Sequence, residues 1–88
     1  MYYVYILWSD SAQKFYIGST EDITKRLDQH NQGVLCKWTS TRGPWQLAWS
    51  EECSNITEAR KLERWLKRQK SGNGFWERTG LHRANYRN

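Results

Sequence analysis

Two short runs of aromatic and β-branched residues, one hairpin loop apart, constrain the fold of this chain most strongly. The runs are Tyr3-Val4-Tyr5-Ile6 and Tyr16-Ile17-Gly18. Such residues suit a pleated, packed surface, so we predict strands at about Tyr2–Trp8 and Lys14–Gly18. The polar segment Ser9–Gln13 has the length of a hairpin loop. Two adjacent antiparallel strands would hold the phenols of Tyr5 and Tyr16 side by side.

Both faces of the first strand are apolar or aromatic, which predicts a central strand that is covered on both sides. A third strand is predicted at Trp45–Ser50, where Trp45, Leu47 and Trp49 alternate with more polar residues, as on a half-buried edge strand.

The first predicted helix follows the second strand, with Ser19 or Thr20 as its N-cap and Gly33 as its stop. The second runs from about Ile56 to Lys70, with Asn55 or Thr57 as its cap. Its apolar face is predicted from helical spacing. That face comprises Ile56, Ala59, Leu62 and Leu66. Ser71–Gly74 should break the chain, after which Phe75 and Trp76 dock a short turn on the core.

Eighty-eight residues with six Trp, five Tyr and two Phe can form one small domain with an aromatic core. We predict this domain at residues 1–76 and a frayed tail at 77–88. Cys36 and Cys53 could form one disulfide, but two reduced thiols in a cytosolic protein are the favoured interpretation. No apolar run reaches membrane-spanning length, so we expect a soluble, cytoplasmic protein without a membrane partner.

The net charge of +5 would attract polyanions, although many basic proteins bind nothing specific. The candidate phosphate contacts are basic residues in the loop before the third strand and along the second helix. They are Lys37, Arg42, Arg60, Arg64, Lys67 and Lys70. Contacts of this kind would position a nucleic acid without reading its sequence.

Glu63 lies at the edge of the apolar face of the second helix, where a carboxylate is costly unless something there requires its charge. One interpretation is a surface ion pair with Lys67, four residues on, which spacing alone slightly favours. The other is a divalent cation, since Mg²⁺ often binds one or two carboxylates together with water and phosphate.

Arg26 and His30 lie one turn apart on the first helix. Arg26 could form a surface salt bridge with Asp22 or Asp28, or it could clamp a phosphate oxygen. His30 could be a satisfied imidazole at a helix end, or it could orient a tyrosine or pass a proton.

Tyr5 and Tyr16 could simply be sheet aromatics, and Gly18 could simply be the turn into the helix. Phosphodiester hydrolysis, however, needs a deprotonated water, neutralised charge at phosphorus and a stabilised leaving oxygen. Tyr5 or His30 could supply the first and Arg26 the second. A cation on Glu63 could supply the third.

At these residues the chain resembles the GIY-YIG endonuclease family, and most of all its small stand-alone bacterial members. Tyr3-Val4-Tyr5 stands at the first motif and Tyr16-Ile17-Gly18 at the second. The family's arginine, histidine and metal-binding glutamate fall on Arg26, His30 and Glu63. The resemblance covers about residues 2–70. It implies an α+β fold, with a small three-stranded antiparallel sheet flanked by helices in two or three layers.

The resemblance implies a metal-dependent DNA endonuclease that uses Mg²⁺ or Mn²⁺, with Tyr5 as general base, acting in repair or on structured DNA. A separate protein could supply DNA affinity, and RNA is the alternative substrate. Two other classes of function stay open. One is a nucleic-acid-binding module that kept the nuclease fold but is catalytically weak. The other is a protein-interaction domain that uses its tryptophans.

Overall fold

The structure is a computed structural model that describes residues 1–33, 42–69 and 72–86. Within these ranges lie three strands, three α-helices and one 3₁₀ turn. The strands are β1 (Tyr2–Ser9), β2 (Lys14–Thr20) and β3 (Gln46–Cys53). The helices are α1 (Ile23–Gln32), α2 (Ile56–Gln69) and α3 (Asn73–Thr79), and the 3₁₀ turn is Arg83–Tyr86.

The sheet is antiparallel in the order β2-β1-β3, so β1 is central, as its two apolar faces predicted. Val4 and Ile6 pack under α2 and α3 on one face, while Tyr5 and Leu7 pack under α1 on the other. The predicted α+β fold is confirmed, in its three-layer form. The sheet separates two apolar clusters, and each helical layer covers one of them.

The alternation predicted for the third strand is wrong, because β3 contains an irregularity. Ile6 pairs with Trp49 but Leu7 pairs with Leu47, so one extra residue, Ala48, shifts the register. Trp45 therefore packs with Tyr5 and Leu7, whereas Trp49 packs against the opposite cluster. Leu47 is left 43% exposed instead of facing the core.

The N-cap of α1 is Asp22, which corrects the prediction of Ser19 or Thr20. The Asp22 carboxylate accepts a hydrogen bond from the Lys25 amide at 3.0 Å. Ser19 and Thr20 instead extend β2, where they pair with β1. Gly33 ends the helix in the left-handed region at φ 75°, as predicted.

Asn55 caps α2, accepting from the Glu58 amide at 2.9 Å, and this confirms one of the two predicted caps. Ala59 and Leu66 are buried beneath the helix, but Ile56 in its first turn is exposed, contrary to the prediction. α3 begins at Asn73, within the segment predicted to break the chain. Phe75 docks on the core as expected.

Part of the predicted tail, residues 77–88, contacts the rest of the domain, and the fraying of this tail stays a prediction. α3 crosses residue 76, and the ring of Tyr86 lies within 5.2 Å of the rings of Trp8 and Phe15. Tyr86 also stacks on Trp76. The tail up to Tyr86 is therefore packed against the hairpin. The domain boundary at residue 76 stays a prediction.

Cys53 is a buried free thiol, and burial raises its pKa. Cys36, Lys37 and Lys70 lie outside the described residues. None of the helices in the described ranges is long and apolar enough to cross a membrane.

Candidate active site

The β1–β2 hairpin brings the two predicted tyrosines to one face of the sheet. Tyr5 pairs with Gly18 and Leu7 pairs with Tyr16, and side chains of paired residues share a face. The rings of Tyr5 and Tyr16 lie 6.3 Å apart between centroids. The arrangement expected from the two tyrosine runs is therefore present. Both phenols line an open cleft of about 500 Å³ beside β2.

Gly18 makes room for the phenol of Tyr5. A Cβ atom on Gly18 would lie 2.6 Å from the Tyr5 hydroxyl oxygen and 2.8 Å from its Cζ atom. Real Cβ atoms do not approach other atoms so closely, so a side chain here would displace the ring. Gly18 lies inside β2, so the structural role of this glycine is a close approach rather than a turn.

His30 lies beneath Tyr5 and does not line the cleft. Its Nε2 atom is 3.0 Å from the Tyr5 hydroxyl, and its side chain is only 2% exposed. Within the described residues, the buried Nδ1 atom has no hydrogen-bond partner. Burial, and then the charge of Arg26, lower the pKa of His30, which favours the neutral imidazole.

Burial is also the largest influence on Tyr5, and it raises the pKa of this phenol well above its ordinary value of 10.0. The nearby Tyr16 and Glu63 raise it further, whereas Arg26 lowers it through its charge and a hydrogen bond. Tyr5 is therefore a neutral phenol at neutral pH, hydrogen-bonded to a neutral imidazole.

α1 positions Arg26 one turn before His30, on the side of the helix that faces the cleft. The Asp22 cap and the stop at Gly33 fix where this helix begins and ends. Within the described residues, Arg26 forms none of the predicted salt bridges with Asp22 or Asp28. Its guanidinium is thus placed to meet an anion in the cleft.

Glu63 reaches the same cleft from α2, the helix on the other face of the sheet. Ser19 donates a hydrogen bond to its Oε1 atom at 2.8 Å, and Lys67 lies 2.7 Å from its Oε2 atom. The ion pair with Lys67 that spacing favoured is present. It does not remove Glu63 from the cleft, so the two interpretations of this residue are compatible.

The cleft gathers Tyr5, Tyr16, Arg26 and Glu63, with His30 directly behind Tyr5. Three of the predicted phosphate contacts also line it. They are Arg60, Arg64 and Lys67 on α2. Arg42 does not line the cleft; its backbone carbonyl accepts from Ser9 at the other end of β1. Lys37 and Lys70 cannot be placed, since both lie outside the described residues.

Ser19 also lines the cleft, although the sequence predicts it as a helix cap and not as a site residue. A different signal was available. In a strand that contains Tyr16 and Gly18, Ser19 must face the opposite side, toward the helix that carries Glu63. A hydroxyl facing an apolar layer needs a polar partner, and Glu63 is that partner.

The metal-binding groups of this cleft fit one hard divalent cation that keeps most of its water ligands. In the described part of the chain, no three His, Cys, Asp or Glu side chains are grouped to hold a metal ion. Glu63 is the one carboxylate among the described cleft residues. The ammonium of Lys67 already lies against its Oε2 atom, so a cation is accepted at this position. Mg²⁺ commonly binds one carboxylate and takes its other ligands from water and phosphate.

Comparisons with known proteins match most of the chain. A family model described as the GIY-YIG catalytic domain matches residues 1–75. The chain is 41% identical to UPF0213 protein YsiG of Lactococcus lactis over 66 residues, covering 75% of this chain and 62% of that protein. It is 38% identical to UPF0213 protein CPE1444 of Clostridium perfringens over 68 residues, covering 77% and 72%. The match thus spans less than two thirds of the Lactococcus protein's length.

Proposed function

This chain belongs to the GIY-YIG family, and from that premise we propose that it is a divalent-metal-dependent endonuclease that hydrolyses phosphodiester bonds in DNA. The observation that supports the proposal is one cleft lined by two phenols, a guanidinium and a carboxylate. We further propose that its substrates are structured or damaged DNA, as in repair. RNA is the alternative substrate.

In this proposal Tyr5 and His30 act as a pair. The Tyr5 oxygen accepts a proton from the attacking water while its own proton moves to the neutral Nε2 atom of His30, 3.0 Å away. The transfer avoids a phenolate, which burial disfavours, but it places a positive charge on His30. Burial and Arg26 disfavour that charge as well, so the imidazolium would be short-lived. Tyr16, whose ring lies 4.6 Å from that of His30, helps to enclose the pair.

Arg26 is the proposed clamp for the phosphate. Its guanidinium can bind a phosphate oxygen and stabilise the charge that develops there. Glu63 would hold the divalent cation, which when bound supplies positive charge to the leaving oxygen. The Arg60, Arg64 and Lys67 side chains line the same cleft and would bind neighbouring phosphates. These contacts are few, so we propose that a protein partner can add DNA affinity.

A cleavage assay tests this function. Nicked, flapped, branched and plain duplex DNA would be incubated with Mg²⁺ or Mn²⁺ and the wild-type protein. Glu63→Gln and Arg26→Ala should each lower the cleavage rate about 100-fold or more, because each removes charge stabilisation from the transition state. Circular dichroism would verify that both variants are folded.

Lys61→Met is the matched control, since it removes a positive charge from α2 on a groove away from the cleft. It should cleave like the wild type. Equal cleavage by wild type and Glu63→Gln would defeat the enzyme proposal. Salt-sensitive DNA binding without metal-dependent cleavage would instead favour a binding module that kept the nuclease fold.

A further inference from the structure

The two oxygens of the Glu63 carboxylate have different kinds of partner. Oε1 accepts from the hydroxyl of Ser19, whose backbone is fixed in β2 by pairing with Val4. Oε2 faces the ammonium of Lys67, whose side chain is 54% exposed and reaches Glu63 across one turn of α2. One partner is held by the sheet, and the other is a long, flexible cation.

The Lys67 ammonium neutralises the negative charge of the Glu63 carboxylate and occupies lone pairs of its Oε2 atom. A divalent cation would need both in order to bind there. The Glu63 side chain is only 20% exposed, so few directions of approach remain. A divalent cation beside Glu63 would also be repelled by the positive charge of Lys67. An exposed ion pair at this helical spacing is weak, however, so Lys67 can leave at little cost.

We propose that Lys67 is an exchangeable counter-ion, which occupies Glu63 until a divalent cation replaces it, while Ser19 holds the carboxylate in place. The inference rests on the proposed function, since it concerns the same cation. Lys67 lines the cleft together with Arg64. Once displaced, its ammonium stays where a phosphate of the substrate would lie. Binding of the divalent cation to Glu63 would then release Lys67 to bind a phosphate of the substrate.

The alternative role of Lys67 is to stabilise α2 as an ordinary i to i+4 ion pair. That role and the proposal give opposite expectations for metal affinity. A lysine that only supports the helix would, when removed, leave cation binding unchanged or weaken it. A lysine that competes with the cation would, when removed, strengthen cation binding.

The test measures binding of Mn²⁺ to the full chain by electron paramagnetic resonance of the free ion, at low ionic strength and without DNA. Lys67→Met should bind Mn²⁺ about two- to tenfold more tightly than wild type, because a competing positive charge is lost. Ser19→Ala should bind it about tenfold more weakly, because the carboxylate loses the group that orients it. A general disturbance of the fold would weaken binding in both variants.

Lys61→Met is again the matched control and should bind Mn²⁺ like the wild type. Equal Mn²⁺ affinities for Lys67→Met and wild type, with binding lost in Glu63→Gln, would overturn the proposal and leave the endonuclease function standing. Unchanged Mn²⁺ binding in Glu63→Gln would overturn both this proposal and the placement of the metal on Glu63. Thermal unfolding would verify that each variant is folded.

Discussion

At the scale of single residues, the contact between Gly18 and Tyr5 couples the shape of the sheet to the chemistry of the cleft. The Tyr5 ring is 1% exposed and cannot swing away into solvent. Its hydroxyl reaches His30 only because the neighbouring strand has no side chain at Gly18. The hairpin thus determines both the position of the phenol and its hydrogen bond.

Gly18→Ala should therefore destabilise the protein by about 1–3 kcal/mol, although alanine usually suits folded chains better than glycine. The added methyl group would push the phenol off His30, so cleavage should fall as well. Urea unfolding measures the first effect. The double variant Gly18→Ala with Tyr5→Phe lacks the hydroxyl oxygen that the added methyl group would meet. Its loss of unfolding free energy should therefore be smaller than the sum of the losses of the two single variants. Strict additivity would contradict this explanation.

His30 predicts a dependence of stability on pH. Its pKa in the folded protein is lowered from the ordinary 6.5, so the unfolded chain binds a proton more readily. Above about pH 7 the neutral His30 therefore costs the protein no stability. The free energy of unfolding decreases as the pH falls through 6.5 toward the pKa of His30 in the folded protein. Urea unfolding between pH 7.5 and pH 5 would detect this loss.

His30→Gln isolates the contribution of the imidazole, since glutamine does not titrate. Its unfolding free energy should change less than that of the wild type over the same pH range. Glu51 has a pKa lowered by its hydrogen bonds with Arg78, but its contribution falls below 4.5, outside this window. Parallel curves for His30→Gln and wild type would refute the role given to His30.

At the scale of secondary-structure elements, the side chain of Asn31 connects α1 to Trp45, the residue before β3. Asn31, in the last turn of α1, accepts from the backbone amide of Trp45 at 2.5 Å and donates to its carbonyl at 3.0 Å. The side-chain amide thus binds the backbone as a neighbouring strand would. The connection ties the start of β3 to the helix that carries Arg26 and His30.

Asn31→Ala should destabilise the protein by about 1–3 kcal/mol, since two hydrogen bonds to a buried residue are lost together. Chemical unfolding would measure the change. Gln32→Ala is the matched control on the same turn, because among the described residues Gln32 bonds to Asp28 alone, on the surface. If the two variants lost equal stability, the connection between α1 and β3 would not have the importance given to it.

Local sequence patterns predict a helix or strand correctly where its own residues determine it. They fail where pairing with another strand determines the register or the boundary of an element. β1 was predicted as central because both of its faces are apolar, and it is. β3 was predicted to alternate strictly, but the register shift beside Leu47 is decided by the partner strand. The N-cap was likewise misplaced because pairing with β1 draws Ser19 and Thr20 into β2.

At the scale of the whole molecule, the cleft lies where the two helical layers meet around the edge strand β2. Tyr5, Tyr16 and Arg26 come from one side of the sheet, and Glu63 comes from the other. Spacing along the chain can place residues on one face of an element, but it cannot bring opposite layers together. The hairpin therefore predicts that Tyr5 and Tyr16 lie together, whereas the addition of Glu63 depends on the needs of phosphodiester hydrolysis and on the family resemblance.

The packing of Tyr86 against the rings of Trp8 and Phe15 has a consequence for how this protein is made. Synthesis on the ribosome proceeds from the first residue onward, so the hairpin emerges long before its aromatic partner does. These contacts join segments far apart in sequence, and they can form only after residue 86 has been synthesised. Until then the rings of Trp8 and Phe15 lack this cover, and apolar surface that is exposed during folding is prone to aggregate.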